Sequence, residues 1–489
     1  MEQALSNLAA KLAAKPAAPT KSLSLVNGWL VADGKLLIGK QIETGWWKGN
    51  LNPSQAINPT ISAGPAITRF VPGRTGNGLT DDLDQLTDTM LAANEVAFRQ
   101  HWGLWYDTRS DDHERVRRPD ANVWPPFFEQ PFARSGQGEA WDRLSLYDLM
   151  KYNPWYFGRL HQFAEIGRAK GLVLIDEMYF QHNVLEDGAH YASFPWRTAN
   201  NLSNPGFPEP PPYSGDKRMF FADMFYDMTQ PHLREINRAY IRQCLANLAD
   251  EPNVIHTTGQ EFTGPLSFEQ FWLDSVGEWE KESRQHPLIA LSTPKDVQDA
   301  ILADPVRSKL ISVIDLKYWW QSAKGQLFAP PGGKSVAPRQ AERDWKGGAP
   351  NASTIAGMVS DYRSRFPDKA IITDLDQADG WGFVAAGGSL PKLPATTDVH
   401  LLAAIPKMKP TPSSPDGSFV LSEPGKQYFA YAPKGGIISL DLNGVSTPFT
   451  VHHINLRDGK LTSDETVSGG STTQINLPSG QPAAIWITP

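Results

Sequence analysis

The sequence predicts an α/β protein: a (β/α)8 TIM barrel with long loops at the end where an active site would lie, followed by a small all-β sandwich. Short runs of β-branched and aliphatic residues alternate with helical patterns along most of the chain, which is typical of a parallel sheet. From about residue 418 only short strands separated by turns follow. We therefore predict a flexible tail at 1–22, a barrel with an N-terminal β-hairpin at 23–412, and a β-sandwich at 413–489.

The first elements after the tail are a hairpin and the start of the strand–helix alternation. The hairpin is predicted around Asp33-Gly34, a dipeptide that favours a tight turn between two strands. Either 36–41 or 66–71 is the first barrel strand, and the residues leave both alternatives open. A helix follows, and the second strand is predicted at 96–102.

Two long loops interrupt the alternation, at 103–145 and 181–218. The first is rich in aromatic and charged residues, and the second in aromatic, His and Asn residues. Loops of this length are usually functional or disordered, and their aromatic content argues against disorder. Between them we predict a helix at 146–170 and a third, buried strand at 171–180.

The later elements follow at regular spacing. A fourth strand, 254–258, leads into Gln260 and Glu261, and residues 401–405 are expected to close the ring. The remaining barrel elements are helices at 231–249, 267–284, 294–302 and 353–366, and strands at 288–292, 310–315 and 370–373. The strands of the sandwich are predicted at 427–432, 436–442, 449–454 and 483–487.

Composition excludes several classes of function. The 489 residues are 40% hydrophobic and 20% charged, which is typical of a globular chain. With a net charge of −7 and no basic run, the chain does not have the character of a nucleic-acid-binding protein. The single cysteine, Cys244, excludes an internal disulfide and is expected to be a small core residue.

No run approaches the roughly 18 apolar residues of a membrane span, so no membrane partner is expected. Residues 1–22 are rich in Ala, Lys and Pro and lack the apolar core of a signal peptide. The expectation from these residues alone is a cytoplasmic protein, or one whose export signal has been removed.

The 16 Trp and 13 Tyr residues are the strongest signal in the composition. Most of them are expected in the core. Others lie in the predicted loops among His, Asn and Asp, where aromatic faces would stack on sugar rings while polar side chains bind the hydroxyl groups. We therefore predict a carbohydrate substrate.

Two strand ends carry the acidic residues that glycoside hydrolysis requires. One carboxyl group protonates the leaving oxygen, and another attacks the sugar or activates water. Glu261, after the fourth strand, is the predicted general acid/base. Asp374 and Asp376, after the seventh strand, share one face because they are two residues apart. One of them is the predicted nucleophile, with Asp374 favoured because it comes first after the apolar run; the alternative is that both only cap the following loop.

Polar and aromatic residues at other strand ends and in the loops are predicted to bind substrate. Asp176 and Glu177 end the third strand, and one of them is expected to face the barrel mouth. The predicted set is Trp46, His101, Trp102, Trp105, Asp176, Glu177, Gln181, His182, Asn183, Trp196, Gln260, Tyr318, Trp319, Arg339 and Trp381. No cofactor and no metal are predicted, since His182, Asp187 and His190 fit no compact zinc motif.

Several stretches resemble apiosidase-like glycoside hydrolases. Residues 428–436 through 485–487 are similar to the small sandwich that follows the barrel in these enzymes, and 28–35 is similar to the hairpin that begins them. Residues 374–377, Asp-Leu-Asp-Gln, look like their Asp-x-Asp-His strand end with Gln in place of His. The middle of the chain, around 179–183, looks like a bacterial group of barrel glycosidases without a defined substrate.

The resemblance implies a retaining barrel enzyme with a carboxylate after strand four and another after strand seven, where Glu261 and Asp374 fall. It also implies a periplasmic or secreted location and a plant, algal or bacterial polysaccharide or oligosaccharide as substrate. Long loops over the mouth favour exo action. A polysaccharide lyase and a non-catalytic carbohydrate-binding protein are the alternatives.

Overall fold

The structure is a computed structural model that describes residues 23–43, 83–100, 130–140, 144–180, 194–207, 209, 222–260, 262–317, 351–375, 378–411 and 417–489. Its strands are β1 (Leu23–Val26), β2 (Trp29–Ala32), β3 (Lys35–Leu36), β4 (Lys40–Glu43), β5 (Glu95–Gln100), β6 (Phe132–Arg134), β7 (Tyr147–Tyr152), β8 (Val173–Phe180), β9 (Val254–Gln260), β10 (Leu288–Leu291), β11 (Val313–Leu316), β12 (Ala370–Thr373), β13 (Lys409–Pro410), β14 (Phe419–Glu423), β15 (Gln427–Ala432), β16 (Gly436–Asp441), β17 (Phe449–Ile454), β18 (Leu461–Val467), β19 (Thr472–Leu477) and β20 (Ala483–Thr488). Its helices are α1 (Leu83–Ala92), α2 (Pro154–Lys170), α3 (Ala222–Phe225), α4 (Pro231–Asn247), α5 (Leu266–Ser283), α6 (Lys295–Ala303), α7 (Ala352–Arg365), α8 (Gly380–Ala385) and α9 (Val399–Ala404). Short 3-10 turns lie at Thr198–Asn200, Arg307–Leu310 and Ile405–Lys407.

A curled parallel sheet forms the barrel. Seven strands lie in the order β12–β11–β10–β9–β8–β5–β4, and every neighbouring pair is parallel. The predicted barrel class is therefore confirmed. The first strand is Lys40–Glu43, which pairs with β5 and overlaps the earlier candidate, 36–41, only at residues 40 and 41; residues 66–71 lie outside the described residues. In this order β9 is the fourth strand and β12 is the seventh.

Hydrogen bonds close the ring between the last strand and the first. They are Gln41 Nε2 to Thr373 O (2.9 Å), Ser389 N to Ile371 O (2.7 Å) and Gly39 N to Pro391 O (3.0 Å). Residues 389–391 therefore occupy the eighth strand position, and Leu390 packs inside the barrel. The prediction that 401–405 closes the ring is wrong, since those residues form the end of α9 and the turn after it.

Alternate residues of the strands fill the barrel interior. Successive side chains of a strand point to opposite faces, so the inward positions lie two apart. The interior cluster consists of Ala97, Val173, Ile175, Ile255, Ala290, Val313, Ala370, Ile372 and Leu390, with Leu23, Leu30 and Leu37 from the N-terminal segment. Outward-facing residues such as Leu174, Val254 and Ile371 pack against the helices in a larger core. These two sets of contacts determine which residues of each strand point into the barrel and which point towards the helices.

Helices begin where the sequence supplies a suitable cap. Pro231 stands at the start of α4, where its missing N–H leaves no helix bond unmade. The Asn351 side chain accepts a hydrogen bond from the Thr354 amide and caps α7. Within the described ranges, no helix combines the length and the apolar character needed to cross a bilayer.

The helix predicted at 146–170 is shorter in the structure. Its first residues, Tyr147–Tyr152, form β7, which pairs with β6, and α2 begins only at Pro154. Proline fits the first turn of a helix but cannot donate the hydrogen bond that an interior position requires. The boundary therefore follows from the proline, and the strand before it depends on a partner at 132–134.

The N-terminal hairpin contains two tight turns. Asn27-Gly28 and Asp33-Gly34 all have positive φ, between 50° and 76°, as the favoured two-residue hairpin turn requires. The predicted Asp-Gly hairpin is confirmed. Arg363 donates to the Asn27 and Gly28 carbonyls, and a Cβ atom on Gly28 would lie 1.7 Å from its Nη1 atom. Position 28 therefore requires glycine for two reasons: its positive φ and the close approach of the Arg363 guanidinium.

The C-terminal region consists of antiparallel sheets. A six-stranded sheet, β13–β14–β15–β20–β17–β18, accompanies a two-stranded sheet, β16–β19. The two sheets share an apolar core that includes Ile438, Val451 and Ile475. The opposite face of the larger sheet packs on the barrel through Phe429 and Trp486, beside Trp29 and Trp381. The sequence analysis missed β14, β18 and β19; most residues of β18 and β19 are polar, with several Thr in the two strands.

Ser389→Ala tests how residue 389 is held against the N-terminal hairpin. The Leu30 amide donates to Ser389 Oγ at 2.7 Å, and both residues are fully buried. Loss of the hydroxyl leaves a buried N–H without its acceptor, so we expect the free energy of unfolding to fall by about 1–3 kcal/mol. Denaturant titration measures it, with Ser439→Ala on the exposed face of β16 as control. Equal stabilities of the two variants would contradict the role of Ser389.

Candidate active site

Polar residues replace apolar ones at the C-terminal ends of the barrel strands. In most strands the next inward position beyond the apolar interior carries a charged or hydrogen-bonding side chain, as the alternation requires. We call this set the polar layer: Gln41, Arg99, Glu177, Thr257, Ser292, Asp315, Lys317 and Asp374. Its members belong to, or directly follow, the strands of the barrel sheet, at the end where barrel enzymes carry their chemistry.

Arg99, on β5, is the centre of the polar layer. Its Nη1 donates to Glu177 Oε1 at 3.2 Å, and its Nη2 donates to Asp315 Oδ2 at 2.9 Å and to Gln41 Oε1 at 3.0 Å. Its Nε lies 3.5 Å from Asp374 Oδ2. One planar guanidinium thus contacts side chains from four other strands, which the fixed fork of arginine permits and a lysine would not.

The charge of Arg99 is stable although the side chain is only 1% exposed. Burial opposes the charged form, but the neighbouring Asp315, Asp374 and Glu177 carboxylates outweigh it and raise the pKa of the guanidinium. A buried ion of this kind is tolerated only when partners satisfy it. Arg99 therefore needs these three carboxylates to compensate its buried charge, and the carboxylates need Arg99 for the same reason.

Lys317 adds a second cation to the same cluster. Its Nζ donates to Asp374 Oδ2 at 2.9 Å and lies 3.5 Å from Asp315 Oδ2. Burial and the charge of Arg99 oppose protonation of Lys317, but the three carboxylates outweigh both and raise the pKa of its ammonium group. Asp315 is held further by the Ser292 hydroxyl, which donates to its Oδ2 at 2.8 Å.

Asp374 differs from the other carboxylates of the polar layer in exposure. Its side chain is 27% exposed, whereas those of Asp315 and Glu177 are 1% and 2% exposed. Burial alone would favour the neutral acid, but Lys317 and Arg99 outweigh it and hold the pKa of the carboxyl well below its usual range. Asp374 is therefore an ionised carboxylate that reaches the barrel mouth, while Asp315 and Glu177 are enclosed.

Asp176 does not face the mouth, and its prediction as a substrate-binding residue is wrong. Ile175 points into the barrel, so the alternation directs Glu177 inward and Asp176 outward. Asp176 Oδ2 lies 2.9 Å from His256 Nδ1, and both side chains are buried between the sheet and the helices. Of the two acidic residues at this strand end, only Glu177 belongs to the polar layer.

Two predicted sugar-stacking tryptophans are core residues, so those predictions are also wrong. Trp196 is fully buried, and its ring meets that of Phe132 edge-on at 5.8 Å. Trp381 is 4% exposed, donates its indole N–H to the Leu456 carbonyl at 2.9 Å and packs against Phe429. Neither ring presents a face to a ligand, because each is covered by aromatic neighbours from distant parts of the chain.

Many of the predicted residues lie outside the described residues and stay predictions. They are Glu261, Asp376, Trp46, His101, Trp102, Trp105, Gln181, His182, Asn183, Tyr318, Trp319 and Arg339, together with the weighed zinc ligands Asp187 and His190. Gln260 is described as the last residue of β9, without its side chain.

Sequence reasoning missed Arg99, Asp315 and Lys317 as members of the site. A signal was available for Arg99: it lies two residues after Ala97 in the predicted strand 96–102, so the alternation places both on the same face. A charged residue at an inward position of a barrel strand requires charged partners, and the ends of the other strands are where such partners lie. Lys317 carried no comparable signal, since it directly follows its strand.

The described part of the polar layer offers no ready ligand set for a metal ion, because two side-chain cations already contact its carboxylates. A group with metal-ligand spacing, His161, Asp250 and Glu251, lies before the start of β9, away from the layer. There, Arg168 binds Glu251 with an N···O distance of 2.7 Å.

A family model described as "Domain of unknown function (DUF6298)" matches residues 2–408. No curated protein matches the chain. Among solved structures, a glycoside hydrolase family 5 protein from Bacteroides vulgatus ATCC 8482 is similar, with a TM-score of 0.49 and 10% identity over 96% of this chain and 93% of that one. A structure described as "Glycoside hydrolase" has a TM-score of 0.46 and 10% identity, over 94% of this chain and 97% of that one. A GH30 endoxylanase from Clostridium papyrosolvens C71 has a TM-score of 0.35 and 11% identity, over 96% and 98%. At this level of similarity, the function has to be argued from the chain's own geometry.

Arg99→Met tests whether the guanidinium holds the polar layer together. Removal of one partner from a buried ion cluster leaves uncompensated charges, so we expect a loss of about 3–5 kcal/mol in the free energy of unfolding. Acidification should relieve part of this loss, because protonated carboxyls no longer need the cation. Denaturant titrations at several pH values measure both effects. Arg242→Met, at an exposed ion pair with Glu282, is the control and should cost about 1 kcal/mol or less. A wild-type stability for Arg99→Met would reject the cluster as a structural element.

Proposed function

We propose that this chain, which belongs to the DUF6298 family, is a glycoside hydrolase that acts at the C-terminal end of its barrel. The observation that carries the proposal is Asp374: an ionised carboxylate that reaches the mouth at the end of the seventh strand, with two cations behind it. The fourth strand ends on Gln260, directly before Glu261. These two strand ends are where the sequence predicts the pair of carboxyl groups that glycoside hydrolysis needs.

Asp374 is the nucleophile of the proposed reaction. Arg99 and Lys317 both contact its Oδ2 atom, which assigns the attack on the anomeric carbon to Oδ1. The two cations keep the carboxylate ionised and fix its orientation. They also lose part of their electrostatic attraction when the carboxylate becomes a neutral ester, so they favour departure of Asp374 from the glycosyl-enzyme in the second step.

Glu261 is the general acid and base of the same reaction. It protonates the leaving oxygen in the first step and removes a proton from water in the second. Continuing the alternation of β9 by one position, we expect its carboxyl on the face of Ile255 and Thr257, which point into the barrel. Strands four and seven are separated by two strands in the sheet, so residues at their ends would face each other across the mouth.

The finer parts of the proposal concern the substrate and the course of the reaction. We propose a retaining, exo-acting enzyme whose substrate is a plant, algal or bacterial polysaccharide or oligosaccharide. The support is the resemblance to apiosidase-like enzymes and the long, aromatic-rich loops that the sequence predicts between the barrel elements. A periplasmic or secreted location follows from the same resemblance and stays a prediction.

Asp374→Asn and Glu261→Gln test the two proposed catalytic residues. Each removes a carboxylate at nearly constant shape, so we expect kcat to fall by about 10²–10⁴-fold or more while the fold is kept. The assay is hydrolysis of a panel of plant and algal oligosaccharides, followed by mass spectrometry of the products. Asp361→Asn, on the exposed face of α7, is the matched control. Wild-type turnover in either catalytic variant would reject that assignment, and unsaturated uronyl products would identify a lyase instead.

Lys317→Met tests the electrostatic role of the cation beside Asp374. Without the ammonium group the pKa of Asp374 rises, so the nucleophile becomes protonated at a higher pH. We expect the acidic limb of the pH profile of kcat/KM to move to higher pH, with a larger loss at pH 4 to 5 than at neutral pH. The exposed Lys309→Met is the control. An acidic limb at the same pH in wild type and Lys317→Met would contradict the proposed pairing.

A further inference from the structure

A buried hydrogen bond joins the two ends of the loop that carries Glu261. Thr258 lies near the end of β9, and Glu269 lies in the first turn of α5. The Thr258 hydroxyl donates to Glu269 Oε2 at 2.7 Å. Both residues are almost completely buried, at 1% and 0% exposure. One side-chain contact therefore joins the two ends of the segment between them.

The surroundings of Glu269 are apolar. The rings of Tyr226, Phe262 and Phe268 pack against each other at this junction, with centroid distances between 4.9 and 5.9 Å. Tyr226 is the titratable group that interacts with the carboxyl, and no cation pairs with Glu269 among the described residues. Glu269 Oε1 is buried without a hydrogen-bond partner there. Among the described residues, the Thr258 hydroxyl is the side-chain group that donates a hydrogen bond to this carboxyl.

The carboxyl of Glu269 is consequently held as the neutral acid. Burial raises its pKa from the ordinary 4.5 to about 8, although the hydrogen bond from Thr258 acts in the opposite direction. Ionisation would place a charge among aromatic rings, and the way to hydrate that charge is to separate β9 from the start of α5.

We propose that Glu269 is a positioning residue: its neutral carboxyl, by binding Thr258, fixes the loop that carries Glu261, and its ionisation favours release of that loop. The step to catalysis rests on the proposed function of Glu261. The proposed opening of the loop does not depend on that function, since it concerns only the junction between β9 and α5.

The pH range of the effect follows from proton linkage. Where the junction is open, the carboxyl has its ordinary pKa, and where it is closed, the pKa is about 8. Below pH 4.5 both states hold the proton, and the closed state has its full stability. Between pH 4.5 and 8 only the closed state holds it, so opening becomes about tenfold more favourable for each pH unit. Above pH 8 both states are ionised, and the dependence levels off.

Hydrogen exchange followed by mass spectrometry tests the proposal on the whole chain. Protection of peptides spanning 258–269 is compared between wild type and Glu269→Gln at the same pH, from pH 5 to 9, so that the intrinsic exchange rate cancels. We expect the ratio of the two protection factors to change by about tenfold per pH unit up to pH 8 and then to level off. A ratio that is constant over this range overturns the proposal.

Two further variants make the test decisive. Thr258→Val keeps the shape and removes the donor, so protection of 258–269 should fall at every pH; unchanged protection overturns the proposed contact. Glu282→Gln, on the exposed side of α5, makes the same substitution in the same helix and should leave the protection of 258–269 unchanged. A pH-dependent effect in Glu282→Gln equal to that of Glu269→Gln would also overturn it.

Kinetics then separate this inference from the proposed function. With a substrate that the wild type hydrolyses, the ratio of kcat/KM of Glu269→Gln to that of wild type should rise from pH 6 to pH 9. A constant ratio rejects Glu269 as a positioning residue. If no saccharide is hydrolysed, the proposed function fails, and the exchange measurement still decides whether Glu269 controls the loop.

Discussion

The buried guanidinium of Arg99 contacts side chains from four other barrel strands and thereby connects the first, second, third, sixth and seventh strands at their C-terminal ends. A buried cation is costly unless its partners stand in the correct places. A slip of one residue in β12 would turn Asp374 to the outer face and place Thr373 or Leu375, which carry no charge, beside the cation. The ion cluster therefore favours one register of the strands, which the apolar interior alone would specify less strictly.

The same cluster divides its three carboxylates into two kinds. Asp315 and Glu177 are enclosed, and Asp315 receives a serine hydroxyl as well as the cations, so these groups balance charge. Asp374 shares the cations but remains partly exposed. Compensating the buried charge of Arg99 does not require any of its carboxylate partners to be exposed. Because exposure and ionisation coincide at Asp374, this carboxylate differs from the other two in the way that the proposed nucleophile requires.

Local sequence patterns correctly predicted the features that depend on residues close together in the sequence. The strand–helix alternation, the Asp-Gly turn and the placement of Asp374 after an apolar run are of this kind. The predictions that were wrong or missing concern features that depend on contacts between residues far apart in the sequence. Asp176 and Glu177 are adjacent, and only the phase of β8 against its neighbours tells which one faces inward. Residues 389–391 have no strand pattern, and they take the eighth position because their partners include Leu30, 359 residues away. Trp196 is covered by rings that no local pattern connects to it.

The end of β9 shows how a rigid strand can present a loop residue. Gly259 lies beside Tyr179 of β8, and a Cβ atom there would approach the Tyr179 carbonyl oxygen to 2.5 Å. The two backbones are therefore in close contact two residues before Glu261, and a larger side chain would force them apart. Thr258, next to this contact, is bound on the outer face by Glu269. Backbone packing on one side of β9 and a buried hydrogen bond on the other restrict the end of this strand, just before Glu261. Groups held on rigid elements reach the precision that chemistry requires, and at this strand end Gly259 and the contact between Thr258 and Glu269 supply the rigidity.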